Sequence, residues 1–193
     1  MRLTIHPQNI MPFGKPRTVK TLERDALFDY AVKTLGSRAL TIGEIKEKLR
    51  TRASKPEDID SVLSSLKQYG YLNDRHVADT FAVSRRDNQA LGSMRVLRDL
   101  RNRRVPSKVA EEAVKEAFSG QDEVTLIEKY LARKFRATNL TEYLKEEKHL
   151  ASAYRKLRTA GYSPGNSIKV LKRYASRADE LEGFEEAEPT AGE

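Results

Sequence analysis

One arrangement of residues recurs three times along this chain. Leu49-Arg50 aligns with Leu100-Arg101 at an offset of 51 and with Leu157-Arg158 at an offset of 108. Without gaps, Val62-Leu63 then falls on Ala113-Val114 and on Val170-Leu171. The first offset also places Tyr30-Ala31-Val32 on Phe81-Ala82-Val83, and the equivalent start in the third copy is Tyr130-Leu131-Ala132. Pro106 and Pro164 stand near the start of a third helix in their copies, as Pro56 does. Fixed offsets of this kind identify an internal repeat. Each copy is too short to bury a full core alone, so neighbouring copies must stack.

Within a copy the pattern is helical. Leu22, Ala26, Leu27, Tyr30, Ala31 and Leu35 fall at three- and four-residue spacing, one face of a helix. Thr41-Ile42-Gly43-Glu44 predicts a capping box ahead of the Ile42, Ile45, Leu49 stripe. Ser54-Lys55-Pro56-Glu57 predicts a similar start for the next helix, with Glu57 and Asp58 suited to its first turn. Ile59, Val62, Leu63 and Leu66 follow, and Gly70 offers a left-handed stop. Extra residues from Arg136 to Glu147 lengthen the third copy. The expected fold is therefore all-α, an elongated array of three tandem three-helix repeats built from helix-turn-helix-like units. The units are expected over residues 21–72, 73–120 and 121–177. A flexible basic arm with Pro7, Pro12, Gly14 and Pro16 precedes them over residues 1–20. A disordered acidic tail is expected over residues 178–193, with seven acids and no bases from Asp179 onward.

Composition then narrows the function. Cysteine is absent from the 193 residues, which removes disulfides, zinc–thiolate sites and thiol nucleophiles together. No stretch approaches the roughly 20 apolar residues of a membrane span, and the start lacks a continuous apolar signal, so a cytoplasmic protein is expected. His6, His76 and His149 are far apart with no ligand spacing, so neither a metal nor another cofactor is expected. Phe13-Gly14-Lys15-Pro16 lacks the upstream glycine and the following hydroxyl of a phosphate loop. These exclusions favour a monomeric binding protein over an enzyme. Net charge is +8, and because seven of the 28 acids sit in the tail, the preceding body carries +15. Such a balance points to a polyanion or to a protein with acidic surfaces.

The candidate binding residues form two clusters. In the helix from Met94, the residues Val96, Leu97 and Leu100 share one arc, Arg95 and Arg98 fall on the far side, and Arg101 lies at the flank. Arg103 and Arg104 crowd its C-terminus, where they would also complement the helix dipole. The second cluster is Arg155, Lys156 and Arg158, with Lys169, Lys172 and Arg173 in the following helix. Planar guanidinium forks of this kind grip phosphates or pair with carboxylates. Arg95, Arg98 and Arg101 are expected to serve binding rather than folding. Tyr69, Tyr71, Tyr154, Tyr162 and Tyr174 lie at unit junctions, suited to base stacking or to helix packing.

Gly70-Tyr71-Leu72-Asn73-Asp74, followed by Val77-Ala78 and Phe81-Ala82, resembles the most recognisable stretch of the RecX family of recombinase regulators. Leu91-Gly92-Ser93, Val96 and the Leu97–Leu100 pair are similar to that family's second repeat. Leu157, Gly161-Tyr162, Ile168 and Val170-Leu171 are similar to its third. The resemblance implies an elongated helical array that binds the RecA recombinase, lodges in the groove of the RecA–DNA filament, and limits its strand exchange, ATPase and coprotease activities. Direct contact with single- or double-stranded DNA is left open. The chain departs from the family at Ala53 and Arg104, where many relatives carry glycine after the second helix, and keeps only Gly161. The alternative is a tandem helix-turn-helix transcription factor. Against it, the third helix of the first copy opens on Glu57 and Asp58, which would repel phosphate.

Overall fold

The computed structural model describes residues 21–184; the expected arm and the last nine residues of the expected tail lie outside the described residues. Ten α-helices run in sequence, and no strand occurs among the described residues. The first unit holds α1 (Arg24–Leu35), α2 (Ile42–Arg50) and α3 (Pro56–Gln68). The second holds α4 (Asp74–Gln89), α5 (Ser93–Asn102) and α6 (Ser107–Phe118). The third holds α7 (Glu123–Lys134), a single turn α8 (Leu140–Tyr143) inside the inserted stretch, α9 (Glu147–Thr159) and α10 (Pro164–Leu171). Ile42 to Ser93 and Pro56 to Ser107 keep the offset of 51, and Pro56 to Pro164 keeps 108. The fold is the elongated array of three-helix repeats that the periodicity predicts.

Local chemistry explains several helix starts. At α2 the Glu44 amide donates to Thr41 Oγ1 (3.0 Å) and the Thr41 amide donates to Glu44 Oε2 (2.9 Å), a complete capping box. Asn73 caps α4 by accepting from the His76 amide at 2.9 Å. The cap expected from Ser54 does not form. Lys55 is the N-cap of α3 without a side-chain bond, and Pro56, with φ already fixed, starts the helix. The apolar core is divided among three clusters. Leu49, Leu100 and Leu157, the leucines of the repeated step, are each 0% exposed and sit one in each cluster. Truncating any of them to alanine should cost about 2–5 kcal/mol.

The units stack through their second helices, end to end. Thr41 Oγ1, at the start of α2, donates to the Arg103 carbonyl at the end of α5 (2.5 Å). Gly92 N, at the start of α5, donates to the Ala160 carbonyl at the end of α9 (2.8 Å). Thr41 and Gly92 are repeat equivalents, as are Arg103 and Ala160. The amide-rich start of one helix therefore meets the carbonyl-rich end of the next, which satisfies orphan groups and aligns the dipoles. The third equivalent carbonyl, Arg52, has no earlier unit to meet. It accepts from the Leu22 amide (2.7 Å), and Ser54 N donates back to Leu22 O (3.0 Å). The segment leading into α1 thus closes that end of the row.

Glycine marks the close approaches. A Cβ on Gly161 (φ +89°) would lie 2.2 Å from the Arg95 amide nitrogen, and one on Gly92 would lie 2.4 Å from the Gly161 carbonyl oxygen. At the other junction a Cβ on Gly43 would lie 2.4 Å from Arg104 Cβ. Arg104 is the equivalent of Gly161 and keeps the left-handed backbone (φ 60°) without glycine. The side chain is accommodated because the facing residue, Gly43, has none. Ala53, in the end unit, has no such neighbour and does not adopt a positive φ.

One expected boundary is corrected. Residues 178–184 do not begin a disordered tail: Ser176–Phe184 forms a 3₁₀ helix whose Ala178 and Leu181 are buried in the third cluster, and Asp179 pairs with Lys172. Apolar residues at three-residue spacing give this stretch enough burial to offset ordering.

Candidate interaction surface

The five arginines around α5 all engage their own chain. Arg95 Nε donates to Asp99 Oδ1 (2.9 Å), and its Nη1 donates to the Thr159 carbonyl (3.2 Å). Arg98 Nη2 reaches the same carbonyl (3.4 Å). Arg158 donates to the Tyr162 carbonyl (2.5 Å), so three guanidiniums gather on the carbonyl end of α9. Arg101 pairs with Glu111 (3.0 Å) with both side chains about half exposed. Arg103 grips Glu44 through Nε (3.1 Å) and Nη2 (2.8 Å), donates to the Ala39 carbonyl (3.1 Å), and lies over the Phe81 ring. Arg104 points to Glu47 at 3.4 Å. Arg95 and Arg98 therefore also bridge the second unit to the third, a contact that the helical spacing alone did not indicate.

In the third unit Arg155 and Lys169 are exposed. Lys156 covers the Phe135 ring at 5.3 Å. Lys172 pairs with Asp179 and Arg173 with Glu128. The charge is graded along the row. Residues 21–72 hold nine bases against eight acids, 73–120 ten against seven, and 121–177 thirteen against six. The third unit is the electropositive end.

The junctions also shift the acids and phenols that build them. Burial alone would raise Glu44, yet the Arg103 hydrogen bond, the Thr41 amide and the Arg103 and Arg38 charges hold it below the usual glutamate value. Asp74, at the start of α4, accepts from the Ile42 amide (2.8 Å) across the first junction, and its burial raises it. Burial also raises the Tyr162 phenol strongly. Its hydroxyl donates within reach of two carbonyls, Ala90 O and Leu126 O (3.1 Å), tying the second unit to the third. Glu123 gathers Ser163 N (2.9 Å) with the Ser163 hydroxyl and the Asn166 amide. Burial opposes its ionisation, and these hydrogen bonds outweigh that to keep it low.

No group of three His, Asp or Glu side chains that could hold a metal occurs among the described residues. His76 is exposed at the α4 cap, and His149 stacks on Tyr143 at 4.0 Å. No helix among them is long and apolar enough to cross a membrane. Sequence reasoning missed Arg85, which with Arg103 encloses Phe81 (4.7 and 5.2 Å). The available signal was Phe81 and Arg85 four residues apart on one helix face.

Stacked helical units with a graded basic charge define a tandem-repeat helical protein. Comparison with known proteins places it in a family. The chain is 30% identical over 130 residues to the regulatory protein RecX of Streptomyces coelicolor, a match covering 67% of each protein. It is 38% identical over 102 residues to that of Deinococcus radiodurans, covering 52% of this chain and about half (48%) of the relative. The fold matches a crystal structure of a regulatory protein RecX (TM-score 0.63, 17% identity, 77% of this chain and 71% of that one). It also matches RecX from Lactobacillus salivarius (TM-score 0.60, 18% identity, 78% and 96%). No protein-family model matches. The chain belongs to the RecX family.

Proposed function

We propose that this chain is a non-catalytic regulator that binds the RecA nucleoprotein filament and restrains RecA strand exchange, ATPase and coprotease activity, acting in recombination, repair and the SOS response. The observation that carries the reading is the family membership of a basic, three-unit row whose relatives are named regulatory proteins. A row of linked units suits a partner that is itself long and repeating. The filament-facing residues are proposed to be the exposed cations of the second and third units. Arg155 and Lys169 are exposed, and Arg98 and Arg101 are exposed while also reaching Thr159 and Glu111. Arg95, Arg103, Arg104, Lys156, Arg158, Lys172 and Arg173 complete the basic surface beside their own internal partners.

The test is RecA ATP hydrolysis on single-stranded DNA with this protein added well below the RecA amount, alongside binding to bare DNA. Slowed hydrolysis and tighter binding to coated than to bare strands are expected. Unchanged hydrolysis at saturating protein would overturn the proposal, and binding to bare DNA alone would favour a DNA-binding regulator. Arg98, Arg101, Arg155 and Lys169 changed together to Glu should weaken binding at least tenfold, since each lost cation–anion contact contributes on the order of 1 kcal/mol.

A further inference from the structure

The end of the row with least net charge carries a different surface. Between α1 and α3 runs a groove of about 270 Å³ lined by Arg24, Asp25, Phe28, Asp29, Ser65 and Tyr69. Its aromatic wall continues past the groove: Phe28 and Tyr69 meet edge to face at 5.9 Å, and Tyr69 and Tyr71 at 6.5 Å. Tyr69 is 69% and Tyr71 50% exposed, unusual for aromatic side chains on a single face. Three other partly exposed rings are covered by the chain's own cations: Arg52 lies over Tyr30, Arg85 and Arg103 over Phe81, and Lys156 over Phe135. No cation lies over Phe28, Tyr69 or Tyr71 among the described residues.

Two carboxylates stand beside these open rings. Asp25 and Asp29, one helical turn apart on α1, flank Phe28. Asp25 has a loose contact with Arg24 (3.6 Å), and Arg24 donates its Nε to Ser61. Asp29 has no ion pair within 4 Å among the described residues. Ring faces are negative by their quadrupole, so a cation set against Tyr69 within reach of Asp29 meets two attractive groups at once. A phosphate would meet two carboxylates against the one guanidinium of Arg24, which is already engaged with Ser61 and Asp25. In a chain this basic, such a site selects for the opposite charge.

We propose that this groove is a receptor for a cationic side chain, an arginine or lysine presented by a protein partner. The site would anchor the first unit on protein while the electropositive third unit faces anionic groups. The inference rests on the groove's own chemistry and holds or fails independently of the RecA reading.

The experiment uses the full-length chain and a capped Gly-Arg-Gly peptide, followed by amide and tyrosine-ring NMR shifts. Saturable shifts confined to residues 25–29 and 62–71 are expected, with none from the Gly-Gln-Gly analogue. Asp29→Asn and Tyr69→Leu should each weaken binding about three- to fivefold, while Tyr69→Phe, which keeps the ring face, should bind nearly as wild type. Equal response to the neutral peptide, or no saturable shift, would overturn the proposal. So would shifts of the same residues on adding an oligothymidylate, which would assign the groove to nucleic acid. Shifts that track protein concentration alone would overturn it in favour of a second copy of this chain.

Discussion

Between the first and second units the helices are joined by side chains. Glu44 holds Arg103, Asp74 reaches back to the Ile42 amide, and Thr41 spends its hydroxyl on a carbonyl across the gap. Between the second and third units the equivalent positions are joined by backbone, with Arg95 and Arg98 adding side-chain bonds to the Thr159 carbonyl. Gly92 and Gly161 let main chain touch main chain, and a buried tyrosine hydroxyl reaches across. The stacking is equivalent and the chemistry is not. A repeat interface thus conserves the path of the chain more strictly than the groups that hold it, and charge or glycine can serve at the same register.

The largest effect expected is at the backbone joint. Gly161→Val places a branched side chain against the Arg95 amide at a left-handed backbone position. It should cost more than about 3 kcal/mol or uncouple the third unit, read as a lower or split thermal transition. Near-normal stability would mean the two units are not in contact there. Tyr162→Phe is gentler. It removes the hydroxyl that the buried Ala90 carbonyl accepts from, which should cost about 1–3 kcal/mol by urea denaturation.

At the charged joint Arg103→Ala should cost about 1–2 kcal/mol, because Glu44 keeps only its Thr41 contact and a more distant Arg38. Acid exposes the same pair. Glu44, held below its ordinary value of 4.5, contributes stability that is present above that value and lost as pH falls through its lower folded value. Asp74 has the opposite sign: raised above 3.8, it favours folding at low pH and opposes it once pH rises through its folded value. Glu44→Gln should therefore shrink the acid-side fall in stability. Asp74→Asn, which still offers Oδ1 to the Ile42 amide, should raise stability at neutral pH. Stability profiles measured against pH for the two variants should diverge in opposite directions, and parallel profiles would refute the assignment.

The smallest effect concerns the departure from the family's glycine. Arg104→Gly relieves a left-handed backbone and gives up only an exposed contact with Glu47, so it should stabilise by about 0.5–1 kcal/mol. A loss of stability would show that the Arg104 side chain holds the joint rather than being tolerated by it.

The repeat, the helix starts at fixed offsets and the buried Leu49, Leu100 and Leu157 were legible because helical periodicity and capping are written in residues close along the chain. The role of Arg95, Arg98 and Arg103 was not. Arg95 and Arg98, opposite an apolar arc, read as a free basic face and Arg103 as a cation at the helix C-terminus. Whether a carbonyl or carboxylate of another unit lies across from them depends on stacking at separations of 59 to 64 residues. A trace was present in Arg104, out of place where relatives have glycine, with Gly43 at its compensating position. The aromatic groove of the first unit was visible as Tyr69 and Tyr71, yet its acids lie forty residues away on α1.

Amide hydrogen exchange at two ionic strengths measures both joints in one molecule. Raising salt from about 0.1 M to 1 M shortens the screening length from about 10 Å to 3 Å. If the first joint depends on charge and the second on backbone contact, protection of the Ile42 and Glu44 amides should fall while that of Gly92, bonded to the Ala160 carbonyl, stays constant. Equal loss at both joints, or loss at Gly92 alone, would contradict the account.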